Sequence, residues 1–138
     1  MTTASSEAPV DNDNVIITGS SNGLGYLSAL AFADRGYRVW ATMRNAAGSN
    51  RERKELLEAS AGDIRVLDMD VADDASVDGA IAHVIDTDGK VDVLINNAGI
   101  MYIGHTEAYS VEQANEQMNV NYFGVIRTTQ AVLPVMRR

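Results

Sequence analysis

The chain has 138 residues with 46% hydrophobic and 22% charged side chains, ordinary values for one soluble domain. A net charge of −8 and a pI near 4.5 argue against nucleic-acid partners, because an acidic surface repels phosphate backbones at long range. With no cysteine, disulfides, thiol catalysis and thiolate metal sites are excluded.

Residues 1–13 contain Pro9 and small or acidic residues, without a basic start or an apolar stretch. They read as a flexible tail and not as a signal peptide. No apolar run approaches the roughly 20 residues of a membrane span, so a soluble, cytoplasmic protein is expected.

From Asn14 the chain alternates between two periodicities. Asn14 to Thr18 is a short apolar run ending in a glycine-rich loop, as in a buried parallel strand. From Gly23 to Arg35, Leu24, Leu27, Leu30, Ala31 and Phe32 follow helical spacing, and Gly36 ends the helix. Tyr37 to Met43 is β-branched and aromatic, a second strand. Arg51 to Ser60 reads as a helix with Leu56 and Leu57 inward. Ile64 to Met69 is a third strand, and Asp74 to Ile85 a helix with Val77, Ile81 and Ile85 on one face. Val91 to Ile95 is a fourth strand. Val111 to about Met136 is a long helix capped by Ser110, with Glu112 and Glu116 in its first turns. This order predicts an α/β fold: a Rossmann-type, doubly wound parallel sheet with right-handed crossovers and helices on both faces. Its four strands make it incomplete as such sheets go. The ordered domain is expected over residues 14–138.

The loop Thr18-Gly19-Ser20-Ser21-Asn22-Gly23-Leu24-Gly25 lies directly between a strand and a helix. Its glycines permit a tight turn, close approach of backbone to a pyrophosphate, and close helix–strand packing. The helix N-terminus offers unpaired N–H groups and partial positive charge. Ser20, Ser21 and Asn22 add side-chain donors. A dinucleotide cofactor follows from that context. The spacing is neither Gly-x-Gly-x-x-Gly nor a P-loop, since no lysine follows Gly25.

The second strand should end near the adenine ribose, where a carboxylate would favour NAD and repel NADP. Here it ends Thr42-Met43-Arg44, with no carboxylate before Glu52. Arg44 either pairs with a 2′-phosphate, which favours NADP over NAD, or is a solvated strand-end residue. Asp70, followed by Val71 after the third strand, either accepts from the adenine amino group or is an ordinary turn aspartate.

Four segments together resemble the classical-type short-chain dehydrogenases/reductases. They are the Thr18–Gly25 loop, Asp70-Val71, Asn96-Asn97-Ala98-Gly99, and Asn119-Val120-Asn121-Tyr122-Phe123-Gly124. The resemblance runs from Val15 to the chain end and is specific through the order and intervals of all four. It implies hydride transfer between NADP and a carbonyl or alcohol carbon. It also implies that Asn96 to Gly99, with Asn97, Ala98 and Gly99 as cofactor contacts, stabilise the central sheet and border the cofactor, that Val120 contacts the cofactor, and that Asn121 kinks the long helix and holds a water of a proton relay. The stretch from Val120 to Arg138 is similar to members acting on steroids, retinoids and related lipophilic alcohols or ketones.

One part of the family pattern does not occur in this sequence. The family's acid–base pair is a tyrosine with a lysine four residues later, aided by an upstream serine. Four residues after Tyr26, Tyr37, Tyr102, Tyr109 and Tyr122 stand Leu30, Ala41, Thr106, Gln113 and Ile126. The sequence therefore resembles the cofactor-binding N-terminal half of such an enzyme, truncated before the catalytic segment and expected to be inactive alone. A non-catalytic dinucleotide-binding module and a non-functional truncated product are the alternatives. An open fourth-strand edge and a final helix exposing Phe123, Ile126 and Val132 are expected to invite self-association or a partner. Tyr102, Tyr109 and His105 are weaker candidates for a substrate entrance. No spacing of His83 and His105 with carboxylates suggests a metal.

Overall fold

The computed structural model describes residues 13–138. The tail expected over residues 1–13 lies outside them except for Asp13, whose carbonyl accepts from the Arg38 N–H (3.0 Å) and whose carboxylate pairs with Lys90 (3.1 Å).

The four apolar runs form one parallel sheet: β1 (Asn14–Ile17), β2 (Arg38–Met43), β3 (Asp63–Asp68) and β4 (Val93–Ile95), in the order β3-β2-β1-β4. Ile16 pairs with Trp40 on one side and Leu94 on the other, so β1 is central. The pleat sends Val15, Ile17, Val39, Ala41 and Met43 to one face, where α1 (Gly23–Asp34) and α2 (Arg51–Glu58) cover them. Ile16 and Trp40 face the other way, into a core with Val77, Ile81 and Val84 of α3 (Asp74–Asp88) and Val132 and Val135 of the last helix. Helices therefore lie on both faces, as parallel strands require.

The helix faces differ in places from their apolar spacing. In α1 the buried residues are Gly25, Ala29 and Ala33, while Leu24 and Leu27 are 76% and 60% exposed. Gly25, Ala29 and Ala33 lie on the face turned to the sheet, with Tyr26, Leu30 and Phe32 packed at its margins, and Leu24 and Leu27 fall outside it. In α2 Leu57 is fully buried and Leu56 is exposed, because eight residues offer a single inward stripe. β4 is shorter than the run from Val91 suggested, since Asp92 bonds with Asn14 instead of extending the ladder.

The long helix is interrupted as the resemblance implied. It comprises α4 (Val111–Met118), a wide π turn (Asn119–Phe123) and α5 (Gly124–Met136). Ser110 caps α4 in a reciprocal box with Gln113. Of the residues expected on its exposed face, Phe123 is exposed and Ile126 half-buried, whereas Val132 is buried at 1% exposure. Val132 joins Val77, Ile81 and Val84 of α3 in the core on that side of the sheet. Among the described residues β4 pairs only with β1, so one sheet edge is open. No helix of the described residues is long and apolar enough to cross a membrane, and none of their His, Asp and Glu side chains cluster as metal ligands.

Candidate cofactor cleft

All four strands end on the same side of the sheet, and a cleft of about 390 Å³ opens there. Parallel α/β sheets bind ligands at this position, beyond the strand C-termini where the chain order reverses. Here the reversal lies between β1 and β4.

The floor of the cleft is the turn after β1. Thr18 is buried, and its Oγ1 accepts N–H bonds from Asn97 (3.0 Å) and Ala98 (2.9 Å). Asn97 Nδ2 donates in return to the carbonyls of Thr18 and Gly19, both at 3.0 Å. The ends of β1 and β4 are thereby locked together. Gly19 is obligatory in this lock: its φ is +69°, and a Cβ there would lie 2.7 Å from Ala98 Cα. At Gly25 a Cβ would collide with the Gly19 carbonyl oxygen and sit 2.5 Å from Asn97 Nδ2.

The N-terminus of α1 faces the cleft without a cap. Asn22 makes no side-chain capping bond, the first turn carries no acidic residue, and the first intrahelical N–H is that of Tyr26. The N–H groups of Gly23 to Gly25 thus stand at the open end of the helix dipole. Ser21, Asn22, Gly23 and Leu24 line the cleft beside Gly19. Ser20 does not. It is fully buried, its hydroxyl donates to the Ile17 carbonyl (2.9 Å) and its N–H to the Thr42 carbonyl (2.8 Å). Ser20 braces the loop from beneath, which corrects its expected role as a donor toward a ligand. Gly25 likewise acts through packing.

The walls come from the other strand ends. Arg44, just beyond β2, lines the mouth and forms no ion pair among the described residues. Asp70 and Val71 form the wall after β3. One Asp70 carboxylate oxygen accepts from the Ala72 N–H (2.9 Å), so Asp70 serves its own turn while facing the cleft. Ala98, Gly99 and Val120 close the opposite wall. Gly124 lets the last helix approach the Val71 wall, since a Cβ there would lie 2.9 Å from Val71 Cγ2.

Asn121 projects from the π turn and grips the loop after β4. Its Oδ1 accepts from the Ile100 N–H (2.8 Å) and its Nδ2 donates to the Ile100 carbonyl (2.7 Å). Tyr102 and Tyr109 are not part of the cleft lining. Tyr102 donates to the Glu116 carboxylate, which holds its hydroxyl pKa above the ordinary value, and Tyr109 donates to Gln117 Oε1 (3.1 Å). His105 is exposed and also outside the lining.

Sequence reading gave no site role to Met43, Asn50, Met69 and Ile100, which line the cleft, and named Thr18 in the loop without its role in the floor. Thr18 carried a signal, as a polar residue at a buried strand end before a glycine. Asn50 carried none, because a loop folding back across six residues brings it to the site.

Comparison with known proteins agrees with this geometry. The family model described as short chain dehydrogenase matches residues 13–138. A 3-ketodihydrosphingosine reductase of Bacteroides thetaiotaomicron is 37% identical over 124 residues, which cover 90% of this chain and 42% of that protein. Retinol dehydrogenase 8 of Homo sapiens is 37% identical over 132 residues, covering 90% and 40%. Estradiol 17-beta-dehydrogenase 1 of Rattus norvegicus is 38% identical, covering 94% and 38%. The chain thus spans about two fifths of the length of the curated relatives it matches. A solved mutant short-chain dehydrogenase/reductase of Serratia marcescens superposes with a TM-score of 0.83 at 25% identity, over 94% of this chain and 53% of that one.

Proposed function

The chain belongs to the short-chain dehydrogenase family, and from that premise we propose that it holds the cofactor of an NADP-dependent oxidoreductase. The observation that carries this reading is the uncapped N-terminus of α1 set against the Gly19 turn, with Arg44 at the mouth of the same cleft. The residues fit a dinucleotide. A pyrophosphate meets N–H groups at a helix N-terminus, and at Gly19 and Gly25 a side chain would collide with the turn and the Asn97–Ala98 segment that form the floor beneath it. The 2′-phosphate of NADP meets the Arg44 guanidinium, while no carboxylate stands at the end of β2 to favour NAD. Asp70 and Val71 take the adenine side, and Asn97, Ala98, Gly99 and Val120 border the rest of the cofactor.

When bound, the cofactor supplies the hydride exchanged with a carbonyl or alcohol carbon of the substrate. This chain's residues bind and orient it. Asn121 holds the Ile100 backbone and keeps an amide N–H for a relay water. The names of the relatives, which concern a keto-sphingoid base, retinol and estradiol, support a lipophilic alcohol or ketone as the substrate. A second reading, binding without turnover, is favoured by the tyrosine spacing, since no tyrosine here has a lysine four residues on. A cytoplasmic setting fits either reading. The open β4 edge and exposed Tyr122 and Phe123 support self-association, expected as a concentration-dependent mass in light scattering.

Titration with NADPH tests the cofactor reading directly. Nicotinamide fluorescence is expected to rise on binding, and Arg44→Asp to shift preference toward NADH. No rise at millimolar NADPH would overturn it. Adding retinoid aldehydes and steroid ketones with NADPH separates the two readings: oxidation of NADPH supports turnover by this chain, and none supports binding alone.

A further inference from the structure

The loop after Arg44 is held by more bonds than an exposed connection needs. Asn45 takes a φ of +50°, which is costly for a residue with a side chain. A strand-end carboxylate offsets that cost. Asp68, the partner of Met43 in the β2–β3 register, accepts the Asn45 N–H at Oδ1 (3.1 Å) and the Ala46 N–H at Oδ2 (2.8 Å). From the far side of the loop, Asn50 Nδ2 donates to the Arg44 carbonyl (2.6 Å). The Asn45 carbonyl accepts from Gly48 (3.0 Å) and Asn50 (3.2 Å). Arg44 is therefore gripped on both sides of its peptide. Arg44 and Asn50 line the cleft, whereas Asp68 does not.

We propose that Asn50 and Asp68 are positioning residues for cofactor choice: they clamp the Arg44 backbone so that its guanidinium waits where the 2′-phosphate of NADP binds. The proposal rests on the reading of Arg44 as the 2′-phosphate partner. A clamped backbone removes part of the ordering cost that a loose loop would carry on binding, and only a ligand bearing that phosphate benefits. Asp68 makes the sign informative. A carboxylate acting merely as a nearby charge repels the phosphate, so its removal would tighten NADPH. A carboxylate acting as a clamp loosens NADPH when it is removed.

The test uses the whole chain and its Asn50→Ala, Asn50→Gln, Asp68→Asn and Arg44→Ala variants. Each is titrated with NADPH and with NADH at one salt concentration, with a thermal melt of the same sample. The readout is the ratio of the two affinities. Asn50→Ala and Asp68→Asn are each expected to lower the NADPH preference about fivefold, the worth of one hydrogen bond. Arg44→Ala should lower it further, and Asn50→Gln should recover part of it. A fall with Arg44→Ala alone overturns the clamp and leaves the Arg44 reading standing. An unchanged ratio with Arg44→Ala, or no binding of either cofactor, overturns both. A preference raised by Asp68→Asn overturns the clamp by showing Asp68 to be a bare charge. Should Asp68→Asn fail to fold, Asn50→Ala decides, since it removes a single loop bond.

Discussion

At the strand starts, Asp88 accepts from Asn14 Nδ2 (2.9 Å), Trp40 Nε1 (2.7 Å) and Arg38 (2.5 Å), and its side chain is 3% exposed. Arg38 also pairs with Asp63 (2.7 Å), so a polar network joins β1, β2, β3 and α3. At the strand ends, by contrast, the α1 N-terminus is uncapped and Arg44 has no ion-pair partner among the described residues. One end of the sheet spends its donors on itself and the other keeps them for a ligand. The polar groups at the first end stabilise, and those at the second end bind.

Breaking the cleft end at its tightest point should have the largest effect. Gly25→Val drives a branched side chain into the Gly19 carbonyl and Asn97, so NADPH binding is expected to be lost beyond titration range. Overpacking of this kind also costs stability, about 1–3 kcal/mol or more. A variant that binds as before would show that α1 can retreat from the turn.

Asp88→Ala tests the other end. It leaves Trp40 Nε1, Asn14 Nδ2 and part of the Arg38 guanidinium without their acceptor, and should cost about 3 kcal/mol in denaturant unfolding. NADPH affinity of the folded fraction should hold. Loss of affinity equal to that of the cleft variants would dissolve the distinction between the two ends.

The same network sets a pH dependence. Burial opposes ionisation of Asp88, but hydrogen bonds from Trp40, Asn14 and Arg38 outweigh it and hold the carboxyl below its ordinary value. At Asp63 burial is likewise outweighed, by Arg38 and Arg65. A depressed folded pKa stabilises above the unfolded value of about 3.9, and that stability is lost as pH falls through the folded pKa. Stability should therefore drop on acidification below about pH 4, and Asp88→Asn should flatten the drop in urea melts taken across that range. An unchanged slope would remove Asp88 from the explanation.

Thr18→Val addresses the seam between strand ends and cleft. It strips the acceptor from two N–H groups, with an expected cost of about 2 kcal/mol and a several-fold weaker NADPH affinity. Thr18→Ser should restore both, as it returns the hydroxyl. The smallest effect on stability is that of Arg44→Asp, expected to leave the melting temperature nearly unchanged while reversing cofactor preference about tenfold. A shift in stability instead would place Arg44 among the structural residues.

Local chemistry determined the elements. Short apolar runs with period-2 faces, separated by helical stretches and glycine turns, require a parallel sheet wrapped on both sides, and that is the fold. The four spaced motifs, the glycine loop between β1 and α1 among them, sufficed to identify the family. The tertiary structure alone decided which groups were spent. Ser20 looks like Ser21 in the sequence, yet Ser20 turns inward to Ile17 while Ser21 lines the cleft. Leu24 and Leu27 have core spacing, yet Gly25, Ala29 and Ala33 face the sheet, flanked by Tyr26, Leu30 and Phe32. Asn50 and Asp68 converge on the Arg44 loop from positions 18 residues apart in sequence, Asp68 through the β2–β3 register and Asn50 through the loop folding back on Arg44. Periodicity records which side of an element is apolar. The separation between elements, and the partner each hydrogen-bonding group finds there, exist only once the chain has closed on itself.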